Sequence, residues 1–523
     1  MTSTRTSARL LTAAVVLSAL TAACGLKTEA TDSLKAPAGS VPGAGTSTGN
    51  GAGSTGTGTT GVVGGTTPGG TVAGGTPGGV VGGGTTSGGT TGTGSTGSTG
   101  GTGSTGGTGS TGGGGGGTQP AAGGPCGVPT GGTTTGITSS TINLGLHAPL
   151  TGTGTPFPNS SFQAGAGTFW AQPGHTVCGR NVHVEFKDDT YTPSGARNVC
   201  SQMAKRDFLV VGGGGTDQIQ ACATQPDIQH LGVPYLSAGV TDNGLTGLSN
   251  YFAVSLTYAQ QGALVLRNAQ QQGIANPTAS NVDSNNGSPP GKAKWAIVTG
   301  GSDNFAGARN GIEAALKAAG IPYHDYPVDQ NGNYQAAATQ FGNQLALNGF
   351  KTVFVDAAPG YFVFMSGGFY GAHVGAANWV GPGVTYTEVT VAQYICSGSK
   401  NAISGHAYFL APAPGIDHAT ADFKKAYKNS YDDIEWALWG LSETLWSLLK
   451  DASANLTRQN FIASSEHAVI PGAVYPPVDF RNNGGHFGGT GAWVQRVNCS
   501  KTEPNQKQPG AWDTVGSNYL SAY

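Results

Sequence analysis

FLVVGGGGT, residues 208–216, is a short apolar run that stops at four consecutive glycines, and residues 217–230 behind it have helical character. A buried strand that ends in glycines and turns straight into a helix is the repeating unit of parallel α/β sheets. The unit recurs on both sides. Residues 142–146 (INLGL), 182–186 (VHVEF), 233–237 (VPYLS) and 251–255 (YFAVS) read as strands. Residues 161–172 read as a helix with Phe162, Phe169 and Trp170 buried, and 193–206 as a helix capped by Ser194. The pattern then restarts with strand 293–299, helix 304–319 stopped by Gly320, strand 352–356 and helix 362–372. In 434–450, Ile434, Leu438, Leu441, Leu445 and Leu448 share one helical face, and 492–497 is a last strand. The polar insertion 276–291 divides the two runs. The pattern predicts two α/β lobes, each a doubly wound parallel sheet, with a cleft at the carboxyl ends of their strands, where ligands bind in such sheets.

The start of the chain is a different material. Arg5 and Arg9 precede an apolar stretch, 10–20, and Thr21, Ala22 and Ala23 lead into Cys24. This is the pattern of a signal peptide, 1–23, ending at a lipid-attachment cysteine. The apolar stretch is shorter than the roughly 20 residues that span a bilayer. Two acyl chains on Cys24 would anchor the protein at the outer face of a bacterial cytoplasmic membrane, in the cell envelope. Ordinary cleavage near Ala23, leaving a secreted protein, is the alternative. Residues 24–125 are almost entirely Gly, Thr and Ser and cannot bury enough apolar surface to offset chain entropy. They read as a disordered linker with a span on the order of 55 Å.

The formal net charge is −2 and no Lys/Arg cluster occurs, which argues against nucleic acid as a partner. Besides Cys24 there are Cys126, Cys178, Cys200, Cys222, Cys396 and Cys499. An even number in an exported chain implies disulfides, and spacing alone leaves their pairing open. There is no CxxC, and neither a metal nor a cofactor is expected. The body lacks GxSxG, HExxH, a P-loop and GxGxxG, so no catalytic residue is assigned and an enzyme is not expected. His183 and Glu185, on one strand face, read as an exposed or satisfied pair and not as a metal site. Asp432, Asp433 and Glu435 read as acids favouring the N-terminus of the helix behind them.

Further landmarks come in a set order. Ala148-Pro149-Leu150-Thr151-Gly152 follows the first strand, Val184-Glu185-Phe186-Lys187-Asp188-Asp189 ends the second, and Val210-Val211-Gly212-Gly213 ends the third. Gly232-Val233-Pro234-Tyr235-Leu236-Ser237, the helix from Gly307 to Gly320, and Pro477-Val478-Asp479-Phe480 with Gly488 and Trp493-Val494-Gln495 complete it. Together they resemble the branched-chain amino-acid-binding proteins, the type I periplasmic-binding family of ABC importer substrate-binding lipoproteins. The resemblance implies that fold, with a three-segment hinge crossing near Ser255, Pro412 and Ile470. Lobe one would hold 137–256 plus 412–470, and lobe two 257–411 plus 471–523. Bridges kept within lobes would then be Cys126–Cys178, Cys200–Cys222 and Cys396–Cys499.

The resemblance also implies a function. The protein would capture a small polar metabolite (an amino acid, amide or carboxylate) and deliver it by hinge closure to an ABC-type permease, working as a monomer. A ligand sensor or surface interaction protein with the same fold is the alternative. The relatives hold a ligand carboxylate on two loops of lobe one. These correspond here to 212–217, with Thr216, and 237–242, with Gly239 and Thr241. Both loops are expected to lead into helices, whose N-termini favour anions. Phe157, Phe305 and Tyr361 are expected as aromatic walls. Amino-acid-binding relatives carry an acid after a Gly-Pro turn on lobe two. Here that turn is Gly381-Pro382-Gly383-Val384 without an acid, and Asp356 and Glu388 stand nearby, off the matched position.

Overall fold

The computed structural model describes residues 132–152, 159–286, 290–330, 333–383, 386–399, 401–481 and 485–523. The expected signal peptide 1–23, Cys24, the linker 24–125, Cys126 and Phe157 lie outside the described residues. No helix among those described is long and apolar enough to cross a membrane.

The first run folds as β1 (Thr141–Ala148), α1 (Asn159–Thr168), β2 (Thr176–Val177), β3 (Arg180–Asp188), α2 (Pro193–Ala204), β4 (Leu209–Gly212), α3 (Thr216–Ala223), α4 (Pro226–His230), β5 (Tyr235–Ser237) and β6 (Tyr251–Ala253). Its sheet has the order β2-β3-β1-β4-β5-β6, parallel except for the short β2. Local chemistry moved two boundaries. Pro193 takes the first helical position of α2 and Thr192, not Ser194, caps it, accepting from Gly195 N–H at 3.0 Å. The expected helix 217–230 is two helices, because Pro226 lacks the N–H that would continue the first.

The second run folds as α5 (Tyr258–Gln271), β7 (Trp295–Gly300), α6 (Ala306–Ala318), β8 (Tyr323–Val328), α7 (Gln335–Leu347), β9 (Thr352–Asp356), α8 (Pro359–Gly371), β10 (Asn378–Pro382), α9 (Val389–Gly398) and β11 (Ala407–Ala411). The chain then forms α10 (Ala421–Ala426), α11 (Asp433–Asp451), α12 (Arg458–Ser465) and the hairpin β12 (Val469–Ile470) and β13 (Val478–Asp479). It returns to the second sheet as β14 (Gly491–Asn498) and β15 (Ala511–Thr514). That sheet has the order β15-β14-β11-β10-β9-β7-β8, with β14 and β15 antiparallel. β8, β10 and β11 have no counterpart in the sequence reading. β8 is an edge strand whose Pro327 weakens its strand signal, and β10 ends in Gly381-Pro382, which reads as a turn.

Alternate residues of each strand enter different apolar layers, as the two-residue period of a strand requires. Ile142, Leu144, Leu146, Val211, Leu236 and Phe252 face α1 and α11, whose Phe162, Leu438, Leu441 and Leu445 fill a first layer. Val210, Tyr235 and Tyr251 face a middle layer with Cys200 and Cys222. This middle layer runs on through Leu256 and Tyr258 to Trp295, Ile297, Phe354, Val380 and Leu410 of the second sheet. Ala296, Val298, Val353, Val355, Trp379 and Phe409 face a third layer under α7, α8 and α9. Ala413 and Ile416, just past β11, already lie in the first layer. Ile470, Val474, Val478 and Phe480 are still in it. The third crossing therefore falls between Phe480 and β14, later than the expected boundary at 470–471, because the β12–β13 hairpin packs under sheet one.

Cys200 is bonded to Cys222, joining α2 to α3, and Cys396 to Cys499, joining α9 to the end of β14. Cys178 is also disulfide-bonded. Arg458, 1% exposed, locks α12 under sheet one. Its guanidinium donates to the carbonyls of Ala204, Asp207, Phe208 and Leu231 at 2.6–3.2 Å. Ala204 ends α2, so the cation also meets the negative end of that helix. Arg458→Met should lower stability by about 3 kcal/mol or more, since it leaves four buried carbonyls without this charged donor. Urea unfolding of the whole protein reads this as a lower midpoint with unchanged slope.

Candidate functional site

Both sheets reverse their strand order beside their first strand, between β1 and β4 in sheet one and between β7 and β9 in sheet two. Such reversal points leave a crevice past the carboxyl ends of the strands. In sheet one the crevice is edged by Ala148 and by the glycine loop after β4. In sheet two it is edged by Thr299 and Asp356, which are register partners on β7 and β9.

Gly215, not Thr216, is the N-cap of α3, and it has no side chain to close the helix end. Thr216 is the first residue of α3 and is buried. Thr241 is buried too, and its Oγ1 accepts from Asn243 N–H at 3.1 Å. The expectation of a helix after this second loop is not met: turns follow 241–243, then β6, and the next helix is α5. Gly239 serves packing. Its N–H donates to Ser255 Oγ at 2.8 Å, and a Cβ there would lie 2.2 Å from Ser255 O.

The two loops meet at one side chain from the other lobe. Asn304, in the turn after β7, donates from Nδ2 to Asp217 Oδ1 at 2.5 Å. Its Oδ1 accepts from Asn243 Nδ2 at 2.9 Å. Three residues on, a Cβ at Gly307 would lie 2.8 Å from Asp242 Oδ1, so glycine permits this close approach of α6. The lobes are thus in contact across the segments that carry Thr216 and Thr241. Phe305 is buried yet belongs to none of the three apolar layers. Tyr361 belongs to the third layer, its ring 5.7 Å from that of Tyr334.

Deeper, beside the crossing at Ala411–Pro412, lies a cavity of ≈ 60 Å³. Gly212, Gly213 and Ala238 line it from the lobe-one loops, Asp433 from α11, and Glu388 from the start of α9. Sequence reasoning did not bring Glu388 and Asp433 together, because they come from different lobes. The acids here are buried close to one another. Burial, then the charges of Asp433 and Asp432, push the Glu388 carboxyl well above its usual range. Burial, then Asp432, pushes Glu435 up to about 8. Burial, then Asp432, also raises Asp433, and burial, then Asp433 and Asp432, raises Glu503. Asp356 is raised by burial alone, and its Oδ2 and the Thr299 Oγ1 opposite it have no hydrogen-bond partner among the described residues. An acid at the carboxyl end of a strand beside the reversal point is the signal that marks Asp356.

Other clusters are structural. His147 Nδ1 meets Asp189 Oδ2 at 2.8 Å and its Nε2 meets the Tyr235 hydroxyl at 2.7 Å, all buried. Cys200 and Cys222 lie beside this ring, but their disulfide leaves no thiolate for a metal. Glu185 pairs with Lys187 and Arg206 at 2.8 and 3.1 Å.

Two outcomes follow from this geometry. Asn304→Ala should raise amide hydrogen exchange in the segments around Asp217 and Asn243 severalfold while leaving α11 unchanged. A raised carboxyl pKa means that the folded state holds its proton from about pH 4.3 up to about 8, where the unfolded chain has lost it. Stability contributed by Glu435 and its neighbours is therefore lost as pH rises through that window. Calorimetry should give a lower Tm at pH 8.5 than at pH 5.5, and a rise would contradict the burial of these acids.

A family model described as "Periplasmic binding protein" matches residues 141–504. Among solved structures, the fatty acid ABC transporter substrate-binding protein from Thermomonospora curvata is similar, with TM-score 0.59, 16% identity, and coverage of 74% of this chain and 94% of that one. A solute binding protein of an ABC transporter from Rhodopseudomonas palustris BisB5, in complex with 3,4-dihydroxy benzoic acid, gives 0.54 and 16%, covering 73% and 98%. The branched-chain amino acid transporter substrate binding protein LivJ from Streptococcus pneumoniae str. Canada MDR_19A, in complex with isoleucine, gives 0.52 and 14%, covering 72% and 100%. A search of curated proteins finds no match. The structural likenesses share the type I periplasmic-binding fold, and the match over 141–504 shows that the chain belongs to the periplasmic binding protein family.

Proposed function

We propose that this protein captures a small polar solute outside the cytoplasm and delivers it to an ABC-type permease by closing its two lobes. The observation that carries the reading is the Asn304 bridge. One lobe-two side chain joins both lobe-one loops at the carboxyl ends of the sheet-one strands, and a largely apolar cavity with the acids Glu388 and Asp433 in its wall lies at the crossing between lobes. A solute that contacts both lobes stabilises the closed form only by its preference for that form. Lipid attachment at Cys24 and the 24–125 linker would hold the body near the membrane while leaving it free to meet a permease. The body acts as a monomer and needs no bond-breaking chemistry.

The solute class is open to amino acids, amides and carboxylates. The similar proteins are named for a fatty acid and bound to a dihydroxybenzoic acid and to isoleucine, so the fold accommodates more than one chemistry. A thermal-shift screen of the whole protein against these classes should find solutes that raise Tm by several degrees. Thr216→Val should weaken such a solute roughly tenfold, the worth of about one buried hydrogen bond, with unchanged basal Tm. A screen without a single stabilising solute would contradict the capture function.

A further inference from the structure

Five buried carboxyl groups gather where the lobes cross, and four of them meet donors. Asp432 accepts from Glu435 N–H at 3.2 Å, and Glu435 accepts from Asp432 N–H at 3.0 Å, in a reciprocal capping box. Glu503 accepts from Asp433 N–H at 3.2 Å. Asp433 is met by the backbone N–H groups of Val389, Ile434 and its own residue. Val389 opens α9 on the other lobe, so Asp433 faces that helix end from across the crossing. Glu388 is the exception among the described residues. It stands at the N-cap of α9, where an acid would ordinarily close the helix end, but its side chain makes no capping bond. Its Oε2 is buried without a hydrogen-bond partner, and the residue is 7% exposed.

The groups that face Glu388 come from both lobes. After burial itself, the charges of Asp433 and Asp432 on α11 of lobe one act on it most. Glu503, on the segment after β14, shares those two neighbours, and the Lys501 beside it is bound to Asp513 at 2.7 Å. Tyr191, after β3, feels the Glu388 charge, and Tyr475 lines the same cavity; burial raises both phenols well above their usual range. Among the described residues no Lys, Arg or His forms an ion pair with Glu388. Gln495 Oε1, from another residue of the cavity wall, is also buried without a partner. Glu388, Asp433 and Gln495 therefore all present acceptors there. What the wall lacks is a donor, and a proton on Glu388 supplies one.

We propose that closing the lobes takes up one proton from solvent at the Glu388 carboxylate, so that the clamp holds its solute more tightly in an acidic medium than in an alkaline one. The inference rests on the capture function proposed above and adds its regulation. Opening the lobes parts Glu388 from Asp433 and Asp432 and admits water to its carboxyl, so the open form returns the proton. One O–H bond forms on closure and breaks on opening, and nothing is oxidised or reduced. Asp433 and Glu503 face N–H donors that favour their charged forms, so the proton resides on Glu388. The closed form keeps it to higher pH than the open form, whose carboxyl titrates near the ordinary glutamate value of about 4.3. Closure is therefore favoured at low pH, and that advantage is lost as pH rises through the window between the two values. One proton changes the closed-to-open ratio by at most about tenfold per pH unit there. By linkage, a solute that drives closure also drives proton uptake.

The test is single-molecule energy transfer between dyes at Gln202→Cys and Lys317→Cys of the whole protein, free of solute, from pH 5.5 to pH 8.5. Both positions are exposed, one on each lobe. The closed-to-open ratio should fall about tenfold or more across that range. Glu388→Gln, whose amide does not ionise, should remove most of this dependence and hold the ratio near its acid value. Glu388→Met is a second neutral variant of similar volume with the same expected result. Both variants keep the Asp432–Glu435 capping box and should match or exceed the wild-type Tm at pH 7.5, which separates a changed hinge from a lost fold. A wild-type ratio that does not change with pH overturns the proposal, whether the lobes stay closed, stay open or exchange. An equal pH dependence in wild type and variants overturns it as well. Either result leaves solute capture to be decided by the solute screen, so the two readings fail separately.

Discussion

Asn304 donates to Asp217 and accepts from Asn243, and those two bonds hold the second lobe against both loops of the first. Everything else about the cleft depends on that meeting. It requires β7 to end where β4 and β5 end on the other lobe, which the two matching strand orders provide. It is eased by the glycine at 307, since a Cβ there would lie 2.8 Å from the Asp242 Oδ1 and push that side chain aside. Each hydrogen bond of this kind is worth only about 1 kcal/mol net. A pair of them is therefore a weak link between the lobes, of the size that the proposed solute-driven closure requires.

The acids at the crossing set that balance. A capping box contributes about 1–2 kcal/mol to its helix, whereas burying an ionised carboxylate costs several. Asp432 and Glu435 therefore do not by themselves account for a cluster that also includes Asp433, Glu388 and Glu503. Such a cluster stabilises the closed form only when protons or a cation offset its charge. Arg458 shows the contrasting solution in the same lobe: a single buried cation satisfied by four carbonyls and tied permanently into the fold.

Much of the architecture is legible in the chain, and for identifiable reasons. The glycine run after Val211 marks β4 and its crevice because nothing else explains an apolar strand ending in four glycines. The single-face leucines of α11 mark the longest helix described, and Asp432 with Glu435 marks its start. β8 and β10 were hidden because Pro327, Gly381 and Pro382 mimic turns, and tertiary pairing overrode that local signal. The site was harder to read. Thr216, Thr241 and Gly239 were expected only through loops that resemble those of relatives, and Gly239 packs closely against Ser255. Glu388 and Asp433 line one cavity from different lobes, and no local pattern encodes that meeting.

The central claim is that two lobes close on a solute. Gln202 on α2 and Lys317 on α6 are exposed, one on each lobe, and nitroxide labels there report the separation of the lobes by pulsed electron paramagnetic resonance. The account predicts a broad or two-component distance distribution in the free protein that collapses to a single component when a stabilising solute is added. A distribution that stays unchanged while such a solute is demonstrably bound would contradict it.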